Sequence, residues 1–271
     1  MKLESFWQAT APAFAGAARE PLPAQAEVVV IGGGFTGVSA ALNLARSGIS
    51  VVLLESGDVM SQASARNGGH CNTGVAQNFA SLVASQGLEQ ASRFYRAFDD
   101  AVSYVQQLIQ DEAIDCDFRL CGKLKLASKA SHVAGLQEAY ELMRRTVDPE
   151  IELLDKTAVR DEIASDKFHG GLLQKRGGQM HMGKFGIGLA EAAARSGAKI
   201  YPHHAVTKLE RLKGYQHRIH TANGTLLADK VLMATGCSNV GPFPWFQRRI
   251  VPVGSFIVVT EALDPALLRQ V

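Results

Sequence analysis

Gly32, Gly34 and Gly37 stand at the spacing G-x-G-x-x-G, directly after the apolar run Val28-Val29-Val30-Ile31. Glycine lets a main chain turn tightly and approach a charged group with no side chain in between. At this spacing the first glycine allows the turn and the second lets backbone approach a pyrophosphate. The third lets the next helix sit close to the strand. Glu55 lies about twenty residues beyond, where a carboxylate can accept hydrogen bonds from ribose hydroxyls. The chemistry open to this set is the holding of a dinucleotide, and the glycines alone do not choose between FAD and NAD.

The elements that must position these residues are legible. Val28 to Ile31 is too short and too β-branched for a helix and reads as a buried parallel strand. Phe35-Thr36-Gly37 opens a helix through Arg46, with Val38, Ala41, Leu42 and Ala45 on one face and Gly48 as C-cap. Its N-terminal N–H groups and positive dipole end would aim at the phosphates. A second strand, Ile49 to Leu54, delivers Glu55. Downstream, Ser61 to His70 is small, polar and glycine-paired, a loop or helix start suited to close backbone approach. Arg66 could answer a phosphate charge there, or the stretch could be a plain surface turn.

Composition restricts the alternatives. With 46% hydrophobic and 20% charged residues and a net charge of +2, the chain reads as a globular protein. It carries no bias toward nucleic acid or an anionic membrane. No apolar run is long enough to span a bilayer. Residues 1–27 lack a basic stretch followed by a continuous apolar one, so they read as an arm on the domain surface rather than a signal peptide. Four cysteines without C-x-x-C spacing predict thiols in a reducing cytoplasm.

The remaining pattern alternates helices and strands. Apolar residues from Leu88 to Ile109 recur at three- and four-residue steps, predicting one long helix over Gly87 to Gln110. Phe118 to Ala127 alternates and predicts a strand or hairpin around Gly122; a helix over Ser131 to Thr146 and a strand over Glu152 to Leu154 follow. Asp155 is a predicted cap for the helix that runs to Ile163, and Gly170 to Leu173 reads as a strand. Gly177-Gly178 marks a reversal, after which a helix from Phe185 to Arg195 and a strand from Lys199 to Tyr201 make a second βαβ-like passage. Strands are expected over Val206 to Leu212 and His217 to Thr221. Asn223-Gly224 signals a two-residue hairpin, and Lys230 to Met233 reads as a buried strand before the small turn Ala234-Thr235-Gly236. Ile250 to Thr260, apolar and β-branched, is expected to be a strand of a second sheet.

Taken in order, the glycine unit ending in Glu55, Ala65-Arg66-Asn67-Gly68-Gly69, Gly177-Gly178-Gln179-Met180-His181 and Ala234-Thr235-Gly236 resemble FAD-dependent amine and amino-acid oxidoreductases of the D-amino-acid-oxidase type. Within that family the chain is most similar to the gamma-glutamylputrescine oxidoreductase group, whose members carry a closely similar Ser-Gly-Arg-Asn-Gly-Gly loop. The resemblance covers nearly the whole chain. It implies an α/β fold: a Rossmann-like FAD-binding domain (27–110 and 177–247) interleaved with an antiparallel-sheet substrate domain (111–176 and from 248), after an arm over 1–26. It implies that Gly32, Gly34, Phe35, Thr36 and Gly37 hold the pyrophosphate and Glu55 the adenosine ribose. Ser64, Arg66, Asn67, Gly68 and Gly69 would line the route to the isoalloxazine, Val206 would meet adenine through its backbone, and Thr235 and Gly236 would close over the nucleotide. Met182 stands where a proline commonly follows the histidine. The family's members are longer, and their C-terminal part supplies a further glycine-rich segment and much of the substrate pocket.

The implied reaction is oxidation of a C–N bond in a small amine, with oxygen or another electron acceptor as second partner. A gamma-glutamylputrescine-like amine is the leading substrate; sarcosine, glycine or a D-amino acid are the alternatives, and an inactive FAD-binding module is the non-enzymatic one. His70 and His181 are the candidate catalytic residues. His70 could orient substrate or carry a covalent flavin link, or simply bond to backbone. His181 could face the substrate or serve structure. No metal-ligand spacing is present.

Overall fold

The computed structural model describes residues 2–74, 77–237, 241 and 243–268. Helix α1 (Phe6–Thr10) lies in the N-terminal arm. Strand β1 (Gln25–Ile31) runs through the glycines into α2 (Phe35–Arg46), and β2 (Val51–Leu54) follows, as the apolar spacing requires. A 3-10 turn (Ala63–Ala65) interrupts the polar loop, and β3 (His70–Asn72) begins at its end. Helix α3 (Phe79–Gln86) is absent from the expected elements. Asn78 caps it by accepting the Ala80 N–H at 2.9 Å. Gly87, at φ 80°, separates it from the long helix α4 (Leu88–Asp111).

Strands β4 (Arg119–Leu120) and β5 (Lys123–Leu126) correct the expected hairpin over Phe118 to Ala127. Gly122 between them turns at φ 72° and the two enter different sheets. Helix α5 (Val133–Thr146), strand β6 (Glu152–Leu154) and helix α6 (Lys156–Glu162) come next. Asp155 caps α6 by accepting the Ala158 N–H at 2.8 Å. Strands β7 (Gly171–Gln174) and β8 (Gly177–Gln179) overturn the expected reversal: β5 and β4 pair with them antiparallel in one continuing direction, so Gly177-Gly178 lies in a strand and the chain does not turn back there. A Cβ on Gly178 would sit 2.5 Å from the Arg119 carbonyl oxygen, which is why β8 needs glycine where β4 passes.

Helix α7 (Met182–Arg195) starts earlier than Phe185 because His181 caps it, and β9 (Lys199–Tyr201) follows. Strands β10 (Val206–Arg211), β11 (His217–Thr221) and β12 (Gly224–Met233) follow; the hairpin turns one residue earlier than expected, with Ala222-Asn223 as its loop and Gly224 opening β12 opposite Thr221. Short helices α8 (Pro244–Gln247) and α9 (Pro265–Leu268) come last. Residues 250–260 form no strand, which corrects the expectation from their β-branched pattern: Val251 is 83% and Phe256 93% exposed. A strand persists only where a neighbour takes its backbone hydrogen bonds, and none of the described strands pairs with this stretch. Residues 269–271 of the expected C-terminal region lie outside the described residues.

The chain divides into two compact units. One holds Met1–Gly68, Glu112–Cys116 and His181–Ile257; the other holds Gly69–Asp111, Asp117–Met180 and Val258–Val271. Helix α4, expected with the nucleotide-binding part, therefore falls in the second unit.

The first unit is built on a six-stranded sheet in the order β10-β11-β12-β1-β2-β9, with β12, β1, β2 and β9 parallel and β10, β11 and β12 antiparallel. Val29, Val30, Leu53 and Ile200 are fully buried, as parallel strands covered on both faces must be. Burying one such side chain stabilises by about 1.5–3 kcal/mol. Strand β12 is buried at Leu226 and Ala228, whereas Leu232 is 37% exposed, so the expected burial of Lys230 to Met233 does not hold. Side chains stand out from the faces of a sheet, so burial follows what covers those faces; past Ala228, where β11 stops, β12 runs beside β1 alone.

The second unit holds two antiparallel three-stranded sheets, β3-β8-β4 and β5-β7-β6. Phe79, Ala91, Leu136, Met143 and Leu172 make its core. Inside it the Tyr95 hydroxyl donates to Asp148 Oδ2 at 3.1 Å and accepts from Gln174 Nε2 at 2.6 Å. Burial, and then the Asp148 carboxylate, push the Tyr95 phenol up, keeping it a donor. The architecture is α/β, a Rossmann-like unit interleaved along the chain with an antiparallel-sheet unit.

Candidate functional site

At the end of β1 the chain turns through Gly32 at φ 112°, where a Cβ would lie 2.5 Å from the Ala234 carbonyl oxygen. A Cβ on Gly37 would lie 1.9 Å from the Gly32 carbonyl oxygen and 3.2 Å from Val30 Cγ1, so only glycine lets α2 seat this close to the strand. Gly34 precedes α2 as N-cap and offers no capping side chain; a Cβ there would meet Ser64 Oγ alone, at 2.9 Å. The Phe35 N–H donates to that same Ser64 hydroxyl at 3.0 Å. Glu55, just past β2, is held by main chain: Oε2 accepts the Gly33 N–H at 2.6 Å and Oε1 the Gly57 N–H at 2.9 Å. Carboxylate oxygens keep further lone pairs for hydroxyl donors. The arrangement fits a dinucleotide: backbone donors at a helix N-terminus with no Cβ in the way, and an anchored carboxylate beside them.

The other nucleotide candidates in this unit lie at strand ends. Val206 opens β10, and Thr235 and Gly236 follow β12, where the Ala234 N–H donates to Ile31 O at 2.8 Å. The loop from Ser64 to Gly68 closes on itself through the Asn67 amide, which donates to Ser64 O at 2.8 Å; Arg66 is exposed. The N-terminal arm holds this loop: the Trp7 indole N–H donates to Asn67 O at 2.7 Å and the Ser5 hydroxyl bonds Ala65 O. Sequence reasoning passed over Ser5, Trp7 and Thr10 as functional residues; the signal was the adjacent aromatic pair Phe6-Trp7 in an arm rich in alanine and proline.

The two histidines fall in different units. His181 is buried, and its Nδ1 accepts the Lys184 N–H at 3.1 Å as the N-cap of α7. Nε2 therefore carries the proton of the neutral ring and donates to Thr10 Oγ1 at 2.7 Å; that hydroxyl in turn donates to Phe6 O at 2.5 Å. His70 is exposed at the start of β3, opposite Gln179, and follows Gly69, which is buried at φ 77°. Burial pushes the neighbouring Cys71 thiol up, so it stays protonated near neutral pH. Among the described residues, no cluster of His, Cys, Asp or Glu is arranged to hold a metal ion, and no helix is long and apolar enough to cross a membrane.

Residues 27–271 match the family described as DAO, FAD dependent oxidoreductase. The chain is 33% identical over 246 residues to gamma-glutamylputrescine oxidoreductase of Escherichia coli, covering 90% of this chain and 57% of that protein. It is 33% identical over 260 residues to the probable oxidoreductase OrdL of Rhizobium meliloti, covering 96% of this chain and 60% of that one. Among solved structures, glycine oxidase from Geobacillus kaustophilus superposes with a TM-score of 0.66 at 24% identity, over 79% of this chain and 56% of that one. The chain thus spans somewhat over half the length of the relatives it matches. With a family match that begins in the first strand of the nucleotide unit and runs to the last residue, the chain belongs to the DAO family of FAD-dependent oxidoreductases.

Proposed function

We propose that the chain binds FAD through its first unit and takes part in oxidation of a C–N bond in a small amine, with a gamma-glutamylputrescine-like compound as substrate. The observation that carries this reading is the glycine turn with Glu55 anchored beside Gly33, in a chain of this family. Bound FAD supplies an acceptor for hydride from the carbon that bears nitrogen, and the imine so produced is hydrolysed to an aldehyde. The chain's own part is binding and orientation. Backbone at Gly32, Gly34, Phe35, Thr36 and Gly37 holds the pyrophosphate, and Glu55 the ribose. Backbone from Ser64 through Arg66, Asn67, Gly68 and Gly69 leads toward the isoalloxazine. Val206 takes the adenine, and Thr235 and Gly236 close over the nucleotide. His70, exposed, is the histidine we assign to substrate; His181 acts through the helix it caps. Hydride transfer from a neutral amine needs orientation and a dry site more than a side-chain base. Oxygen or another carrier takes the electrons afterwards. That the four cysteines are thiols supports a reducing compartment, the cytoplasm.

The 33% identity to a gamma-glutamylputrescine oxidoreductase favours that substrate; the glycine oxidase likeness makes sarcosine, glycine and D-amino acids the comparison set. The test is to load the purified protein with FAD and follow bleaching of the flavin band without oxygen. Bleaching by gamma-glutamylputrescine ahead of the other amines is expected. Bleaching only by another amine replaces the substrate. Flavin that binds and never bleaches reduces the chain to a cofactor-holding module.

A further inference from the structure

We infer that the N-terminal helix Phe6–Thr10 is a latch that sets the shape of the flavin-facing loop, with Trp7 as its positioning residue. This rests on the FAD reading above and goes beyond it, because no residue of the arm belongs to the glycine cradle.

Three bonds leave one short helix for three points around the site. The Ser5 hydroxyl bonds Ala65 O, the Trp7 indole N–H donates to Asn67 O at 2.7 Å, and Thr10 Oγ1 meets His181 Nε2 at 2.7 Å. The Trp7 ring stands edge-on to the His181 ring, with centroids 4.9 Å apart. Gly183 completes the seat: a Cβ there would lie 2.2 Å from the Trp7 carbonyl oxygen, so α7 admits the arm only because it carries glycine at that position. All these residues belong to the first unit.

The loop they hold has little regular structure of its own. Its 3-10 turn is three residues long, and Arg66 leaves it at φ −141° in an irregular conformation. Asn67 spends its amide on Ala63 O and Ser64 O, which closes the loop on itself. The arm adds a hold from outside through the two carbonyls, Ala65 O and Asn67 O, and so constrains which way the intervening Arg66 peptide faces. The same loop begins with Ser64, whose hydroxyl accepts the Phe35 N–H at the head of α2. Pulling on Asn67 therefore acts on both the phosphate end and the ring end of the proposed cofactor site, although Trp7 itself touches neither.

The test uses the full chain and FAD, titrated by quenching of flavin fluorescence. Trp7→Phe keeps the ring on His181 and removes the N–H. The expected result is FAD binding weakened about tenfold, the size of one lost hydrogen bond to a carbonyl, with a changed visible circular dichroism of the bound flavin. Ser5→Ala, which leaves the helix intact, is expected to weaken binding about threefold in the same direction. A core variant of the same unit, Ile219→Val, is expected to lower the melting temperature and leave both flavin readouts as in the wild type. FAD affinity within twofold of wild type in both Trp7→Phe and Ser5→Ala overturns the latch while leaving the FAD reading standing. So does an equal loss of affinity in Ile219→Val. A wild-type protein that takes up no FAD overturns the FAD reading itself, and the latch with it.

Discussion

Val28 to Ile31 and Ile250 to Val259 share a run of β-branched residues, broken in the second by Pro252 and Gly254, and meet opposite fates. In β1, Val29 and Val30 are fully buried between β12 and β2. In the later stretch, Val251, Val253 and Val258 are each more than four-fifths exposed and no strand forms. β-Branched side chains favour extended backbone in both places; the second stretch adds Pro252 and Gly254, which weaken a strand, and no described strand takes its backbone N–H and C=O groups. Strand β10 is the intermediate case, an edge strand paired with β11 alone. Residue type thus sets the local conformation, and neighbours decide whether it becomes structure.

Substitutions can break or sharpen that contrast. The largest effect is expected at Gly37→Val, where the new Cβ meets main chain 1.9 Å away and nothing flexible can yield. A cost above ~4 kcal/mol should abolish cooperative melting and FAD binding. Gly254→Val meets only the Phe256 ring, at 3.4 Å, and should leave the melting curve unchanged. Next, Leu53→Ala should cost about 3 kcal/mol in a denaturant titration, as a fully buried leucine does. Val253→Ala should stay within about 0.5 kcal/mol; comparable losses at the two positions would erase the distinction. Glu55→Gln removes the charge and one of the two acceptor oxygens at the end of β2 and should weaken FAD binding about tenfold.

The smallest effect belongs to the edge strand. The Lys208 ammonium, and then the His220 ring, hold the Glu210 carboxyl down to about 2. A carboxyl depressed on folding stabilises above its unfolded value of about 4.5. That contribution is lost as the pH falls toward 2. Lys208→Gln should therefore flatten, slightly, the acid-side fall of melting temperature between those limits. A variant with an unchanged slope would remove Glu210 from the account.

Local signals carried much of this fold. The β1–α2–β2 unit, the Asp155 cap and, one residue out of place, the hairpin before β12 were legible because each is decided by residues within a few positions of one another. Long-range pairing was not. Leu120, Leu124 and Leu126 alternate as one strand would, yet β4 joins β8 and β5 joins β7. Helix α3 hides because Ala80, Ser81, Ala84 and Ser85 give weak periodicity. At the candidate site the glycines and Glu55 were readable from spacing. The arm was not, because the partners of Trp7 and Thr10 are separated from them by 60 and 171 positions.

Strand β12 is one unbroken rod from the hairpin to the turn that closes the nucleotide unit. It leaves the Ala222-Asn223 bend paired with β11, Thr221 opposite Gly224, and arrives beside β1 with Ile31 opposite Met233. A rod of fixed rise works as a ruler. One residue inserted within it, beside Asp229, would either push Thr235 and Gly236 forward by about 3.4 Å or turn Leu226 and Ala228 out of the core. The Ala222-Asn223 bend and the 3-10 turn Lys213–Tyr215, which joins β10 to β11, carry no such measurement. Natural length variation should collect at these two surface bends and spare the strand itself.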